Sequence, residues 1–277
     1  MTVALDDIGP ADLERALAVL ARGFPEIARE RWARGLSWLA GARGIEGLPL
    51  GRVLRAEGVD VGVILTLGSR RADDAGVVNL SSWFVDPAFR VSAPLMLRRA
   101  TAARDLTYTS LTPLPGVERM LTALGFERAS AGRVILPVAL AALRPSRARM
   151  RSLARVRDAL PEELRRSLDD HAAVGSLCAA LEDEDGLHPL VFFPRRRAGL
   201  RTALLAYAED GGRVLRHRGA VARHLLRHGV LALTVDHPGE EGPSELVPLG
   251  PPRRYVKGPR PTAGIDYLYS ELPAFGV

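Results

Sequence analysis

Val85-Asp86-Pro87, with an arginine three residues on at Arg90, ends an apolar run and hands the chain to a helix opening near Ser92. A strand that stops at a proline and passes through an arginine turn into a helix can hold an anion. The first N–H groups of a helix have no intrahelical partner, and the helix dipole favours negative charge there. An ordinary strand-to-helix connection has the same outline. On the run itself, Ser81 and Ser82 could orient an amine or a water, and Tyr108, in "TYTS", offers a phenol that geometry could recruit as an acid. Trp32, Trp38 and Trp83 would line an acyl or acceptor pocket, or fill the core as tryptophan on an amphipathic element more often does.

Other groups carry less chemistry. His224 and His228 stand at i and i+4, the spacing that aligns two metal ligands, but neither the glutamate of H-E-x-x-H nor a third ligand accompanies them. An arginine-flanked solvated helix face is the reading they favour. Asp170 and His171 are neighbours in sequence only, and catalytic triads are assembled in space. Cys178 lies in an apolar strand and reads as buried and inert. Gly211-Gly212 could open an anion-binding helix start, although a plain loop is the preferred reading, and Arg195, Arg196 and Arg197 precede a strand. Hydrolase, P-loop and dinucleotide signatures are absent from the sequence.

The elements that must position these residues follow from periodicity. Leu13, Ala16, Leu17 and Leu20 predict one helix, and Ile27, Trp32, Leu36 and Leu39 a second after Pro25. "GRVLRAEGVDVGVILTLGSRR" predicts two strands about Glu57-Gly58, and "GVVNLSSWFV" a third. A helix over "SAPLMLRRATA", a strand over "DLTYTSLTP", a helix over "GVERMLTALGF" and a final strand over "RVILPVAL" complete the first half. From about residue 141 an arginine-rich helical connector leads into a second series. It contains strands over "SLCAALED", "HPLVFFPRR", "TALLAYAED" and "VLALTVD", a helix stopped by Gly229, and a closing strand over "GIDYLYSELPAFGV". The halves share a plan without a demonstrable sequence repeat. Two α/β domains in tandem is the preferred architecture, with one larger domain carrying a helical insert as the alternative.

Composition bounds the rest. Hydrophobic residues are 47% and charged residues 25% of the 277, as in a globular protein with an ample core. No apolar run is long enough to cross a bilayer, and the N-terminal stretch has no secretory pattern. The single cysteine allows no internal disulfide and fits a reducing cytoplasm, where the chain is expected. The net charge is +6, but 37 of the 38 basic residues are arginines scattered along the chain, and aromatics are only 5%. A nucleic-acid binder clusters its charge, so nucleic acid is not an expected partner, and a basic surface equally suits an acidic coenzyme.

The first half resembles the GNAT superfamily of acyl-CoA-dependent N-acyltransferases. Val85-Asp86-Pro87 with Arg90 is similar to that family's V-x-P-x-x-R at the end of strand four, and Leu124-Gly125-Phe126 to its L-G-F element. The resemblance implies two tandem acyltransferase-like domains of α/β (α+β) class, residues 1–140 and 141–277, each a mixed, mostly antiparallel sheet flanked by helices. It implies acetyl-CoA or another acyl-CoA as co-substrate without a metal, and a small-molecule or peptide amine as acceptor. Pantetheine contacts would fall on Phe84 and Val85, and the pyrophosphate loop on Arg90, Val91, Ser92, Ala93, Pro94 and Leu95. The sequence departs from the pattern at several points. Ala93 and Leu95 replace two glycines, Pro94 lacks an N–H, and Leu121 stands where the family often has a general-acid tyrosine. No carboxylate lies between Asn79 and Phe84, which leaves Tyr108 and Ser82 as the candidate catalytic groups. An inactive acyltransferase-like scaffold that binds a ligand or partner is the competing expectation.

Overall fold

Two seven-stranded sheets organise the chain. The computed structural model describes residues 2–42, 44–71, 74–129, 132–237, 245–250, 253–260 and 265–276. Contacts divide them into a first unit, Met1–Ala129 with Arg253–Gly264 and Tyr269–Val277, and a second, Ser130–Pro252 with Ile265–Leu268.

The first unit begins with β1 (Val3–Asp7), α1 (Leu13–Gly23) and α2 (Arg29–Gly41), and continues through β2 (Gly51–Ala56), β3 (Val59–Arg70) and β4 (Gly76–Val85). A 3₁₀ helix (Pro87–Ser92) runs directly into α3 (Ala93–Ala100), followed by β5 (Thr107–Ser110), α4 (Glu118–Ala123) and β6 (Glu127–Arg128). Glu57 and Gly58 both take positive φ, 51° and 87°, which gives the β2–β3 hairpin a turn matched to strand twist. One face of the sheet packs Val53, Val63 and Leu65 under α1 and α2. The other packs Leu54, Ile64 and Val78 under Met96 and Leu97 of α3 and Leu121 of α4.

The second unit contains β7 (Arg133–Pro137), α5 (Val138–Ala142), β8 (Arg149–Ser152), α6 (Leu153–Val156), α7 (Glu162–Ala173), β9 (Leu177–Asp183), β10 (Gly186–Arg197) and β11 (Leu200–Tyr207). Then come α8 (Gly211–Arg216), α9 (Arg218–Arg227), β12 (Ala232–Asp236) and β13 (Val247–Leu249). The chain ends in the first unit with β14 (Tyr255–Lys257) and α10 (Glu271–Phe275). The sheet orders are β1-β2-β3-β4-β5-β14-β6 and β13-β7-β12-β11-β10-β9-β8, with parallel pairing only at β4–β5 and β11–β12 among the described residues.

Three expectations are corrected. The strand over "RVILP" does not complete the first sheet; β7 lies between β12 and β13 in the second, while β14 takes the place between β5 and β6. The second half expected at 141–277 therefore loses its last segments to the first unit. Over "SELPAF" there is a helix, not a strand. The Ser270 side chain accepts from the Leu272 N–H at 3.4 Å and Gly276 closes the helix at φ 68°. Capping rather than periodicity sets so short an element. Residues 149–152, expected to be helical, pair with β9, as long-range pairing overrides local propensity. Residues 261–264 of the C-terminal stretch lie outside the described residues.

Candidate active site

The parallel pairing of β4 with β5 lasts three residue pairs, Val77–Thr107 to Asn79–Thr109. Beyond them β4 leaves its regular course. Val63 pairs with Phe84 and Leu65 with Ser81, so Ser82 and Trp83 together stand opposite Ile64. This is a β-bulge, and its pivot, Ser82, adopts φ 51°, a left-handed conformation that a serine holds only where its surroundings impose it. The extra residue reverses the alternation of the strand. Val78 and Leu80 face α3 and α4, but past the bulge Phe84 faces α1 and α2.

A cavity of ≈ 240 Å³ opens at this point. Leu80 to Trp83 form one wall, Ser110 and Thr112 to Leu114 another, and Trp32, Leu97, Leu121 and Glu271 close it from four helices. Glu271 is 3% exposed. Its carboxylate accepts from the Thr112 hydroxyl at 2.6 Å and from the Asn79 amide, whose own oxygen accepts from Thr109 at 3.3 Å. Trp32, 1% exposed, packs on Phe275 with ring centroids 4.4 Å apart. The indole N–H groups of Trp32 and Trp83 are buried without a protein partner.

The residues expected to act are distributed unevenly about this cavity. Ser81 and Ser82 line it, their hydroxyls 2.9 Å apart. Tyr108 does not: it is 1% exposed, faces α3, and its hydroxyl accepts from the Ala103 N–H at 3.2 Å. Alternation along β5 sends Tyr108 to one face of the sheet and Thr109 to the other. Burial pushes the Tyr108 phenol above its ordinary value, so it stays protonated. Val85 packs in the core and Phe84, half-buried, meets Phe24 at 6.2 Å.

The segment that would hold pyrophosphate is a closed 3₁₀ turn. The Phe89 N–H bonds the Asp86 carbonyl, the Ala93 N–H bonds that of Arg90, and Pro94 has no N–H. Ser92 and Ala93 are buried, while Arg90, Val91, Pro94 and Leu95 are exposed. Asp86 is taken by Arg22, Nε to Oδ1 at 3.3 Å and Nη2 to Oδ2 at 3.0 Å. Leu121, at the position where a tyrosine was expected from the resemblance, is an apolar part of the cavity wall. The L-G-F element ends α4 with Gly125 at φ 84° and a Phe126 N–H to Leu121 carbonyl bond, which fixes Leu121 in place.

In the second unit Gly211 and Gly212 begin α8, but the Asp210 carboxylate accepts the Gly212 N–H at 2.7 Å. Arg213 is held by Asp183 at 2.5 Å and by Asp185 at 2.8 Å. Carboxylates therefore occupy the helix start. Arg195, Arg196 and Arg197 end β10. His171 is buried, its Nδ1 against the Ser167 carbonyl at 2.6 Å. Burial pushes the Cys178 thiol up to about 12, and its Sγ donates to the Leu168 carbonyl. His224 and His228 meet edge to face at 4.9 Å, and no group of three or more metal-ligating side chains gathers among the described residues. Trp38 stacks on Tyr269, outside the cavity wall.

In fold the chain is similar to solved N-acetyltransferase structures. The chain is similar to the GCN5-related N-acetyltransferase of Anabaena variabilis, at 13% identity over 92% of this chain and 72% of that one, with a TM-score of 0.62. For that of Kribbella flavida the figures are 16%, 92% and 70%, with a TM-score of 0.55. The duplicated form is also represented: a tandem GNAT protein from the clavulanic acid biosynthesis pathway matches 96% of this chain along 100% of its own, at 14% identity and TM-score 0.52. The chain is thus a tandem GNAT-like protein in fold. No family model and no curated protein matches the sequence.

Proposed function

We propose that the first unit transfers an acyl group from an acyl-CoA to an amine. The observation that carries this reading is the bulge of β4 at Ser82, just past the end of its parallel pairing with β5, beside a cavity holding hydroxyl and carboxylate groups. Backbone N–H groups of the bulge would polarise the thioester carbonyl as negative charge develops on its oxygen. The amine nitrogen forms the C–N bond, the C–S bond breaks, and the proton shed by nitrogen passes through water or a cavity carboxylate. Ser82, hydrogen-bonded to Ser81, would relay that proton to the leaving thiolate, accepting one as it donates one. Tyr108 has no part in this scheme, since its hydroxyl accepts from the Ala103 N–H and the residue does not line the cavity.

One observation favours a second reading, a scaffold that binds a ligand without transfer. The turn from Asp86 to Ala93 bonds its own N–H groups rather than presenting them to a phosphate. Calorimetric titration of acetyl-CoA and a long-chain acyl-CoA into wild type and Arg90→Ala separates the two. The transfer reading expects micromolar binding that weakens several-fold in the variant. No heat with either thioester leaves the binding scaffold.

A further inference from the structure

The second unit repeats the irregularity of the first. Parallel pairing of β11 with β12 lasts from Thr202–Ala232 to Leu204–Thr234. Past it, β11 pairs with β10 as far as Tyr207 and β12 with β7 as far as Asp236, and no ladder joins the two strand ends among the described residues. A bulge stands there in β11. Phe192 pairs with Leu205 and Val191 with Tyr207, which leaves Ala206 as the extra residue, in the place that Ser82 holds in β4. The chain itself fills this gap. Tyr267, within Ile265–Leu268 of the same unit, donates its N–H to the Ala206 carbonyl at 2.9 Å. Its hydroxyl donates to Asp236 Oδ2 at 2.7 Å and accepts from Arg133 Nη2 at 2.6 Å. One residue thus bridges the end of β11 to the end of β12. Tyr267 and Leu268 are buried, and the Asp266 carboxylate holds the turn by accepting the Leu268 N–H at 2.8 Å. Because it is tethered, such a segment competes with a free ligand at an effective concentration of about millimolar.

We propose that Ile265–Leu268 is an internal strap that closes the gap between β11 and β12, with Tyr267 as its bolt, so that an acyl-CoA enters the second unit only when the strap is released. The closure stands on the second unit's own geometry; that the released gap takes an acyl-CoA rests on the transfer reading above.

Hydrogen exchange and calorimetric titration of acetyl-CoA test this on the full chain, as wild type, Tyr267→Phe and Tyr267→Ala. In wild type the Tyr267 amide should be as protected as the β11 amides. Tyr267→Phe keeps the ring and the N–H but loses both hydroxyl bonds. Its amide at 267 should exchange about tenfold faster, equivalent to about 1.4 kcal/mol, while β3 and β4 amides keep their rates. Arg133 and Asp236 still pair at 3.0 Å without the hydroxyl, so neither variant leaves a buried charge alone. Tyr267→Ala should bind one more acetyl-CoA per chain than wild type. An unprotected Tyr267 amide, two acetyl-CoA per wild-type chain, or no site gained in Tyr267→Ala overturns the inference. A wild type that takes none, beside a Tyr267→Ala chain that takes one, leaves the strap standing and defeats the transfer reading of the first unit alone.

Discussion

Gly35 lies midway along α2, where α10 rests on it. A Cβ built there meets the Phe275 ring and stands 2.5 Å from the Ala274 carbonyl oxygen, about 0.9 Å inside the 3.4 Å at which ordinary contact begins. Gly35→Ala therefore pits two effects against each other. Alanine gains about 1 kcal/mol over glycine in a helix interior. Overpacking costs about 1–3 kcal/mol, at the upper end when a backbone atom must yield. The expected net is a loss of about 2 kcal/mol, concentrated in α10, because the atoms nearest the added Cβ belong to Ala274 and Phe275. Hydrogen exchange reads this directly. The Leu272, Ala274 and Gly276 amides, bonded to Ser270 and Leu272, should exchange about 30-fold faster, while β3 and β4 amides change little. Unchanged or slower exchange in α10, with a raised melting temperature, would show that the close docking of α10 on α2 is not what holds Glu271 in the cavity.

Three further outcomes follow from the same geometry. Ser82→Val should cost about 1–3 kcal/mol, because a β-branched residue resists φ 51°, whereas Ser82→Gly should fold normally; equal denaturation midpoints would argue against a constrained bulge. Tyr108→Phe should lose about 0.5–1.5 kcal/mol through its hydrogen bond with Ala103 and leave any transfer rate unchanged; a large fall in rate at constant stability would return Tyr108 to the chemistry. Burial, with His228 and Arg227 nearby, lowers the His224 value from 6.5 to about 4, so between these pH values the unfolded chain binds a proton that the folded chain does not. Stability therefore falls as pH drops through that window, and His224→Gln should flatten the slope of melting temperature against pH; parallel slopes would show that His224 is not its source.

The sequence made β4 legible to the residue, since "GVVNLSSWFV" is a continuous run bounded by Gly76 and Asp86-Pro87. The left-handed turn at Ser82 left no mark, because a bulge depends on the partner strand and serine carries no preference for it. The face taken by Tyr108 was not legible, since no local pattern fixes it when both faces of a strand are buried. Glu271 was out of reach for a different reason. It stands 192 positions from Asn79, on a helix of five residues too short to show a period, and only tertiary docking brings it to the cavity. The Ser270 cap and Gly276 were the readable signals there. The exchange of β7 and β14 between sheets was equally invisible, since a strand's sequence states that it pairs and not with which sheet.

Acyl transfer to an amine in the cleft of the first unit can be read from its products. Incubation of the full chain with acetyl-CoA and a panel of primary amines, with mass spectrometry of the amide and titration of the released thiol, measures that step itself. Amide and free thiol are expected in equal amounts, both reduced several-fold in Leu114→Trp, which fills space in the cavity wall. Thiol release without amide, or amide formation unaltered by that cavity-filling change, would contradict it.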